Sequence, residues 1–373
     1  MRHCDALIIG GGPAGATAAI LLARAGRSVV LLEKARFPRR KVCGEFIAPA
    51  GIEQLRALGL GARFDADAGP EIRRIAVWAD GVQYEAPMPR RGPGALYPRA
   101  LQREALDALL LDHAARSGAE VLQPARALAL QRVADGFLCR AAARRGAPVF
   151  GVHARTVVAA HGSWEPGGLA TQPPHLRPAP GDLLAFKATF RGRLPEHTIV
   201  LSLLPCGYAG LVERGDRQVT YACCIQRDAL ERLRKPGRPA AASLPRVDGF
   251  AQETPWLAAG PLRPGKRPLY RDGVFAIGNA AGEPHSVVGE GIAMAMHSAA
   301  LLCEPLSAAL AGGFSGAAEL AVARGYAWRW RRDLAFRLWA SARLAALAMQ
   351  PPSIAAKLLH RAPAMLTLAA LMK

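Results

Sequence analysis

Three glycines close to the N-terminus constrain the fold of this chain more than any other feature of its sequence. Gly10, Gly12 and Gly15 follow the spacing Gly-x-Gly-x-x-Gly, which lets the backbone turn sharply between two regular elements. The patterns around them predict three elements: a strand at 6–9, a helix at 13–25 and a second strand at 28–32. This order predicts a βαβ unit, and therefore a parallel sheet, in the N-terminal part of the chain.

The same segment has to be distinguished from a secretory signal. Residues 6–23 carry no charge, and Ala23-Arg24-Ala25 resembles a signal-peptidase site. A signal needs an unbroken apolar helix, whereas Gly10-Gly11-Gly12-Pro13 interrupts this one. No other run approaches the ~20 apolar residues that span a bilayer. We therefore expect a cytoplasmic protein, with peripheral contact to a membrane as the other option.

The glycine turn is suited to a dinucleotide. Gly10 allows the tight turn, Gly12 leaves room for a pyrophosphate at the backbone, and Gly15 allows close packing of the helix. The helix N-terminus offers free N–H groups to phosphates. Glu33 lies 23 residues after Gly10, where an acid accepts hydrogen bonds from an adenosine ribose. Because an acid here argues against a 2′-phosphate, the sequence predicts a site for FAD or NAD.

The formal net charge of +19 raises the question of nucleic-acid binding. Of the 48 basic residues 41 are arginines, and they are scattered along an Ala-, Gly- and Pro-rich chain. A dedicated nucleic-acid surface is therefore disfavoured, and anionic lipid or an acidic carrier protein is the better match. With 51% apolar residues the chain has enough material for folded cores.

The cysteines indicate neither a disulfide framework nor a zinc site. Their number is odd and no two have the Cys-x-x-Cys spacing, so we expect a reducing compartment and predict no metal. The seven are Cys4, Cys43, Cys139, Cys206, Cys223, Cys224 and Cys303.

Three further stretches decide between FAD and NAD. The loop Arg40-Lys41-Val42-Cys43-Gly44-Glu45-Phe46 follows the second strand, and Arg103 opens an apolar helix. Residues 273–282 predict a buried strand with a small-residue turn, and Gly289-Glu290-Gly291-Ile292 follows them. Over residues 5–310 this combination resembles the FAD-dependent oxidoreductases of the p-hydroxybenzoate hydroxylase superfamily, in particular the branch of geranylgeranyl reductases and related monooxygenases.

The resemblance implies an α/β fold in which a Rossmann-like FAD-binding domain carries an inserted antiparallel β-sheet domain and a C-terminal helical tail. An Asp80-Gly81 turn predicts a hairpin between strands at 72–79 and 82–86. Further strand-like runs are 183–190, 198–204, 208–213 and 218–225. The expected domains are 1–70, 96–170 and 268–312 for FAD, 71–95 and 171–267 for substrate, and 313–373 for the helical region.

The resemblance also implies which residues hold FAD. Ala14 and Glu33 would bind the pyrophosphate and the ribose, and Ala127 would contact adenine through its backbone. Arg103 would reach the middle of the cofactor, with Arg99 as a competing assignment. The full expected set is Gly10, Gly12, Ala14, Gly15, Glu33, Lys34, Cys43, Gly44, Arg99, Arg103, Ala127, Gly278, Asn279, Gly289, Gly291 and Ile292.

The chain departs from the family pattern at three places. Asn279 stands where an aspartate usually faces the ribityl chain, and Ser286 replaces a proline. His161-Gly162 stands where the family has Asp-Gly, in a segment that often serves reduced-nicotinamide recognition. None of these changes removes a phosphate contact, so FAD is expected to bind. NAD(P)H is the expected electron donor, although His161 leaves that assignment open.

Three side chains are candidates for chemistry or substrate binding. Cys43 would lie beside the flavin ring, where a thiol shapes the pocket or donates a proton; simple packing is the alternative. His285 is a candidate acid or base. Tyr208 lies in a Pro-x-Gly-Tyr stretch like that of the geranylgeranyl reductases, without the aromatic residues that follow there. It would line a substrate pocket or pack within a sheet.

The segment from Ser315 to Lys373 combines aromatic residues with arginines. Such a combination is typical of a membrane interface, because rings sit among headgroups and arginines meet lipid phosphate. The alternative is a helical tail packed on the FAD domain with a solvated basic face.

These observations favour an FAD-dependent monooxygenase that uses NAD(P)H and O₂ on a hydrophobic phenolic, polyketide or isoprenoid substrate, free or bound to a carrier protein. The alternative on the same scaffold is a reductase of isoprenoid or polyene double bonds. A flavoprotein without catalytic activity, associated with a membrane or a carrier protein, is the alternative of another class.

Overall fold

The computed structural model describes most of the chain. The described residues are 1–144, 146–163, 167–169, 171–172, 177–205, 207–234, 244 and 249–361. Cys206, which belongs to the Pro-x-Gly-Tyr stretch, and residues 362–373 of the predicted tail lie outside them.

Twenty strands and eight helices are assigned within the described residues. The strands are β1 Arg2–Ile9, β2 Val29–Leu32, β3 Phe46–Ile47, β4 Arg74–Ala79, β5 Val82–Pro87, β6 Arg99–Ala100, β7 Glu120–Leu122, β8 Arg126–Val133, β9 Gly136–Ala142, β10 Val149–Ala159, β11 Leu183–Arg191, β12 Thr198–Leu204, β13 Gly207–Glu213, β14 Gln218–Gln226, β15 Ala251–Gln252, β16 Leu257–Leu262, β17 Gly265–Lys266, β18 Tyr270–Arg271, β19 Val274–Ala276 and β20 Gly282–Glu283. The helices are α1 Pro13–Arg24, α2 Pro49–Ala57, α3 Gly61–Asp67, α4 Arg103–Arg116, α5 Arg227–Leu233, α6 Gly291–Ala311, α7 Gly316–Ala348 and α8 Pro352–Arg361.

The first large sheet has a parallel centre, in the order β19-β10-β1-β2-β7. The predicted βαβ unit, β1-α1-β2, is thereby confirmed. β18 pairs antiparallel with β19, and β8 and β9 continue from β10 as an antiparallel ribbon. Because β1, β2 and β10 are buried on both faces, their apolar runs are continuous rather than alternating.

The second large sheet is formed by the predicted inserted strands, in the order β15-β11-β14-β13-β12-β4-β5 with β16 beside β11. The β4–β5 hairpin forms as predicted. The sheet is antiparallel except for one pair, since β4 joins β12 in parallel. The strands of each large sheet fall within the ranges predicted for its domain; the domain boundaries themselves stay a prediction.

The helices cover one face of the parallel sheet. Small residues along α1 allow it to pack closely against α6, and this core continues to Tyr326 and Trp330 of α7. α7 is thus packed on the part of the chain that the sequence predicts to bind FAD, as the second interpretation of the tail expected. The β8–β9 ribbon covers a separate apolar cluster on the opposite face of the sheet.

One helix of the described residues is long and apolar enough to cross a bilayer, namely α6. The expectation that no such run exists apart from the N-terminal segment was therefore wrong. Most of this helix is buried inside the molecule, as is typical of the central helix of a globular core. Met294, Met296 and Leu301 are buried in that core.

Candidate functional site

A cavity of about 590 Å³ lies between the parallel sheet and the inserted sheet. The ends of β1, β2 and β10 border it through Ile9, Leu32 and Ala160. Ligands of open α/β sheets bind at the carboxyl ends of the strands, and volumes of this size are typical of ligand pockets. The first residues of α1 and α6 border the same cavity, so two helix N-termini point towards it.

The three glycines of the first turn have different roles in the structure. Gly10 has φ +111°, and a Cβ there would lie 2.5 Å from the carbonyl oxygen of Ala160. A Cβ on Gly15 would lie 1.8 Å from the carbonyl oxygen of Gly10. A Cβ on Gly12 would meet nothing within 4 Å. Gly10 and Gly15 are therefore required for packing, whereas Gly12 keeps the floor of the cavity open.

Glu33 closes this turn from the end of β2. Its buried carboxylate accepts the N–H of Gly11 through Oε2 and the N–H of Ala35 through Oε1, both at 2.8 Å. An ionised carboxylate accepts about four hydrogen bonds. Glu33 lines the cavity and therefore keeps acceptor capacity for a ligand hydroxyl.

The loop Cys43-Gly44-Glu45 is anchored by a buried charged group. The carboxylate of Glu45 pairs with the ammonium of Lys187 on β11 and accepts hydrogen bonds from Thr220 and from the backbone N–H of Arg103. Glu45 has φ +60°, an uncommon conformation for a non-glycine residue, and is fully buried. These bonds fix the preceding Cys43 and Gly44 at the edge of the cavity.

Arg103 begins α4 and lies beneath this loop. Its guanidinium donates to both carboxylate oxygens of Asp107, at 2.8 and 2.7 Å, and both side chains are buried. Burial opposes the charge, but the Asp107 carboxylate and the Cys43 thiol nearby raise the pKa of Arg103 above its ordinary value. Arg103 therefore stays charged next to the Cys43 thiol.

The C-terminal wall is a turn followed by the start of α6. Asn279 donates its side-chain N–H to Glu283 Oε1 at 3.0 Å, and Ser163 donates to Glu283 Oε2 at 2.7 Å. Gly289 has φ +70° and approaches the ring of Phe46 too closely for a side chain. A Cβ on Gly291 would meet nothing within 4 Å, so the unpaired N–H groups at the start of α6 are accessible from the cavity.

The roof of the cavity is mostly apolar with one polar cluster. The hydroxyls of Tyr208 and Ser286 are 2.9 Å apart, and the Cys224 thiol lies 3.1 Å from Ser286. Burial, followed by the nearby Cys224, raises the pKa of Tyr208 well above its ordinary value, so the phenol stays protonated. The apolar part of the roof comprises Leu183, Ala185, Phe186, Ile199, Leu201, Val212, Leu257 and Leu262.

Four cationic residues line the cavity although the sequence interpretation did not include them among the residues expected to hold FAD. They are Arg39, Arg40, Lys41 and Arg126. Burial, followed by the charge of Arg103, lowers the pKa of Lys41 to about 8. Three of these cations form the run Arg39-Arg40-Lys41 just before Cys43 in the sequence. Only the fold shows that this run borders the cavity.

His161 is fixed as a neutral ring at the end of β10. Its Nδ1 lies 2.9 Å from the carbonyl oxygen of Gly162 and its Nε2 lies 2.9 Å from Thr171 Oγ1, so Nδ1–H donates and Nε2 accepts. Burial lowers the pKa of His161 to about 4. It therefore adds no positive charge to the cavity near neutral pH.

The cavity brings together fifteen of the predicted residues. They are Gly10, Gly12, Ala14, Glu33, Lys34, Cys43, Gly44, Arg103, Ala127, Tyr208, Gly278, Asn279, Gly289, Gly291 and Ile292. Gly15 lies beneath the turn instead, where it allows the close packing described above. The contacts that these residues would make with a cofactor stay predictions.

Two predicted residues are placed elsewhere and are corrected. Arg99 lies in β6 and donates to the carbonyl oxygens of Ala68 and Gly69, away from the cavity. The structure thus places Arg103, and not Arg99, at the cavity. His285 does not line the cavity although its neighbours Pro284 and Ser286 do, and its backbone N–H donates to Ser341 of α7. A role for His285 as the acid or base of the site is therefore not supported.

The residues present fit FAD. Gly12, Gly44 and Gly291 each present backbone where an added Cβ would meet nothing within 4 Å, and all three border the cavity. Arg39 also borders it, and its Nε is buried without a hydrogen-bond partner. An extended anionic ligand between the two helix N-termini would satisfy these groups.

Comparisons with known proteins point to the same cofactor. Residues 3–168 match the family described as FAD binding domain. The menaquinone reductase of Mycobacterium tuberculosis is 37% identical over 127 residues, which cover 34% of this chain and 30% of that protein. The match with the menaquinone reductases thus extends over less than a third of their length.

Two further likenesses extend over most of the chain. The digeranylgeranylglycerophospholipid reductase of Methanothrix thermoacetophila is 26% identical over 349 residues, covering 89% of this chain and 84% of that protein. A geranylgeranyl bacteriochlorophyll reductase-like structure from Thermoplasma acidophilum has a TM-score of 0.76 at 20% identity, covering 96% of this chain and 91% of that one. The structural likeness shows the fold, and the family match shows the FAD binding domain.

Proposed function

We propose that this chain is an FAD-dependent oxidoreductase that saturates carbon–carbon double bonds of an isoprenoid substrate, on the basis of the FAD binding domain match over residues 3–168 and the shared fold. The observation that carries the proposal is the position of Cys43. Its thiol borders the cavity where the FAD-binding part meets the apolar roof. The relatives that match most of this chain are named as reductases of an isoprenoid lipid, which supports the same reaction class.

The chain's own residues would bind, orient and deliver a proton. Bound FAD would supply the two electrons, as a hydride equivalent for one carbon of the double bond. The thiol of Cys43 would give its proton to the other carbon. The guanidinium of Arg103, which interacts with the Cys43 thiol, would help to fix the position of the sulfur.

The roof defines the chemistry of the substrate. Leu183, Ile199, Leu201 and Val212 present aliphatic surface on the inserted sheet. A flexible isoprenoid chain can pack against such a surface, because it has no polar groups that need hydrogen-bond partners. Polar side chains of the roof cluster at Tyr208 and Ser286, where the hydroxyls would meet a single polar group of the substrate.

The direct test is an anaerobic single turnover. FAD-loaded protein reduced with dithionite would be mixed with geranylgeranyl diphosphate or menaquinone in the absence of oxygen. The proposal expects products heavier by H₂ for each bond saturated, detected by mass spectrometry. Unchanged probes in both the anaerobic and the aerobic reaction would exclude the proposed activity on these isoprenoids.

The Cys43→Ser variant separates proton delivery from folding. General acid catalysis contributes roughly 10²–10⁴-fold, so we expect turnover to fall by at least about 10²-fold while bound FAD keeps its absorption spectrum. Cys4→Ser is the matched control, because Cys4 is a buried thiol of β1 away from the cavity. Equal turnover of the two variants would remove Cys43 from the reaction.

Hydroxylation of a phenolic substrate is the second candidate. It is favoured by the Tyr208–Ser286–Cys224 cluster, since two hydroxyls and a thiol in an apolar roof suit a phenolic hydroxyl. The same experiment decides between the two candidates. A product heavier by one oxygen atom, formed only when air is admitted, would support hydroxylation.

We also propose NAD(P)H as the electron donor. The proposal rests on the family resemblance, in which this segment often serves reduced-nicotinamide recognition; the neutral ring of His161 replaces the usual aspartate there, so the donor needs a direct test. NADH and NADPH would each be mixed anaerobically with FAD-loaded protein, and bleaching of the flavin absorbance would be followed. Failure of both to bleach it would point to another donor.

A further inference from the structure

The outward face of α7 carries large aromatic side chains in a row. Trp328, Phe336 and Trp339 are 60%, 65% and 56% exposed. Phe336 and Trp339 stack on one another with ring centroids 5.8 Å apart. Contiguous exposed apolar side chains on a helix face mark an interaction surface rather than ordinary scatter.

The orientation of this face is fixed by the opposite side of the same helix. Tyr326, Trp330 and Leu334 are fully or almost fully buried in the core. The hydroxyl of Tyr326 donates to the carbonyl oxygen of Ala276 at 2.8 Å, and Trp330 packs against Gly282. Successive residues of a helix are rotated by about 100°, so side chains on opposite faces cannot all point into the core. With Tyr326 and Trp330 buried, the aromatic residues on the other face of α7 are therefore exposed.

Arginines surround the aromatic row. Arg324, Arg332 and Arg343 are exposed on the same face. The guanidinium of Arg332 lies 4.9 Å from the centre of the Trp328 ring, and that of Arg343 lies 5.5 Å from the centre of the Trp339 ring. Asp333 is engaged by Arg332 and His297, and Glu304 is paired with Arg329. The face is therefore cationic as well as apolar.

A groove of about 340 Å³ continues this face towards β17. Leu320, Ala323 and Ala327 form its α7 side, with Arg324 and Arg331 on the same helix and Lys266 opposite. The groove combines aliphatic walls with cationic groups, which is the pairing that an acyl chain and its phosphate would contact.

We propose that the outer face of α7, defined by Trp328, Phe336, Trp339, Arg324, Arg332 and Arg343, binds the surface of an anionic membrane. Indole and phenyl rings enter the headgroup region, and arginines contact lipid phosphates. A second copy of the chain is a poorer occupant, because two such faces in contact would bring like charges together. The proposal concerns the surface alone and holds for either reaction considered above.

Vesicle co-sedimentation tests the proposal with the FAD-loaded full chain. Vesicles of phosphatidylcholine alone would be compared with vesicles containing 30% phosphatidylglycerol, about a third of the lipid being anionic. We expect binding to the anionic vesicles that falls as salt is raised, and little binding to the neutral ones. Equal binding to both compositions, or none, would overturn the proposal.

Two variants on the face identify the residues responsible. Trp328→Ser with Phe336→Ser and Trp339→Ser should weaken binding to anionic vesicles by at least about tenfold. Arg324→Gln with Arg332→Gln and Arg343→Gln should do the same. All six residues are exposed, so the urea unfolding curves should match that of the unchanged chain, which verifies folding.

Matched variants elsewhere control for the high net charge. Arg116→Gln with Arg140→Gln and Arg144→Gln removes the same charge from exposed sites outside α7, and Val82→Ser with Val149→Ser removes exposed apolar side chains. Both should bind anionic vesicles as the unchanged chain does. If the charge control loses as much binding as the α7 arginine variant, attraction is diffuse and the assigned face is wrong.

Tryptophan fluorescence gives an independent measurement of the same contact. Brominated lipids quench indole rings that enter the bilayer surface, so they should quench the protein's emission in anionic vesicles. Trp328→Phe with Trp339→Phe should abolish most of this quenching. If the aromatic variant instead changes the sedimentation coefficient of the free protein and leaves vesicle binding intact, the face joins two copies and the membrane proposal fails.

Discussion

Gly12 and Gly15 show how two glycines of one turn meet different demands. An added methyl group at Gly15 would collide with the carbonyl oxygen of Gly10, at 1.8 Å. The same group at Gly12 would enter open space at the cavity, and the backbone there has φ −71°, which alanine adopts without strain. Removing either glycine therefore affects a different property of the protein.

We expect Gly12→Ala to leave the free energy of unfolding of the FAD-free protein within about 0.5 kcal/mol and to weaken FAD binding at least about tenfold. Gly15→Ala should cost about 1–3 kcal/mol or more through overpacking. Urea unfolding and fluorescence titration with FAD measure the two effects. Gly181→Ala, also in open space, is the control and should change neither. A Gly12→Ala protein that binds FAD normally would contradict this assignment.

Single residues also mark where sequence patterns stop being informative. Arg103 opens an apolar helix and Arg99 precedes the same helix, so the sequence favoured Arg103 but left Arg99 as a competing assignment. Arg99 lies in β6, and its guanidinium donates hydrogen bonds to the carbonyl oxygens of Ala68 and Gly69, just after the end of α3. Arg103 lies one helical turn before Asp107 and is held by it. The choice depends on tertiary contacts that no local pattern encodes.

At the scale of elements, the sequence predicted those structures that depend on residues close together in the chain. The β1-α1-β2 unit and the β4–β5 hairpin depend on turn residues within a few positions, and both form as predicted. The anchoring of the Cys43 loop depends on Glu45 and Lys187, which are 142 residues apart. A lysine within the apolar strand β11 was the available signal, because such a residue is rarely buried without an acidic partner.

The Glu45–Lys187 ion pair joins the Cys43 loop to the inserted sheet, and we expect it to contribute to the stability of the whole chain. Lys187→Met removes one of two cations at the buried Glu45 carboxylate and leaves Arg214, whose Nε lies 3.6 Å from Oε2. We expect a cost of about 3 kcal/mol of unfolding free energy, the lower end of the range for breaking a buried ion pair. Adding Glu45→Gln to this variant should recover part of the loss, because the carboxylate is removed while Arg214 keeps its hydrogen bond to Thr189. Urea unfolding measures both, with Lys266→Met on the exposed β17 as a near-neutral control. A Lys187→Met protein as stable as the control would show that the pair contributes nothing.

At the scale of the whole molecule, the sequence shows that the last helices are rich in aromatic and basic residues. It does not show which face of these helices packs on the core. Aromatic and basic residues alternate along α7 closely enough that a free interfacial helix and a packed one have the same pattern. The structure separates them by rotation, since Tyr326 and Trp330 fill the core beneath β19 while Trp328 and Trp339 face outwards. Which face a long helix buries is decided by the shape of the core that receives it.

Two tryptophans on this helix therefore give opposite predictions for the stability of the entire chain. Trp330→Ala removes a ring that is 1% exposed and contacts Gly282 in the C-terminal wall of the site. We expect it to cost about 3–5 kcal/mol of unfolding free energy and to weaken FAD retention, because the turn it supports borders the cavity. Trp328→Ala, two residues away and exposed, should stay within about 0.5 kcal/mol and retain FAD. Urea unfolding together with the FAD content after gel filtration measures both effects, and equal losses in the two variants would mean that α7 does not pack as described.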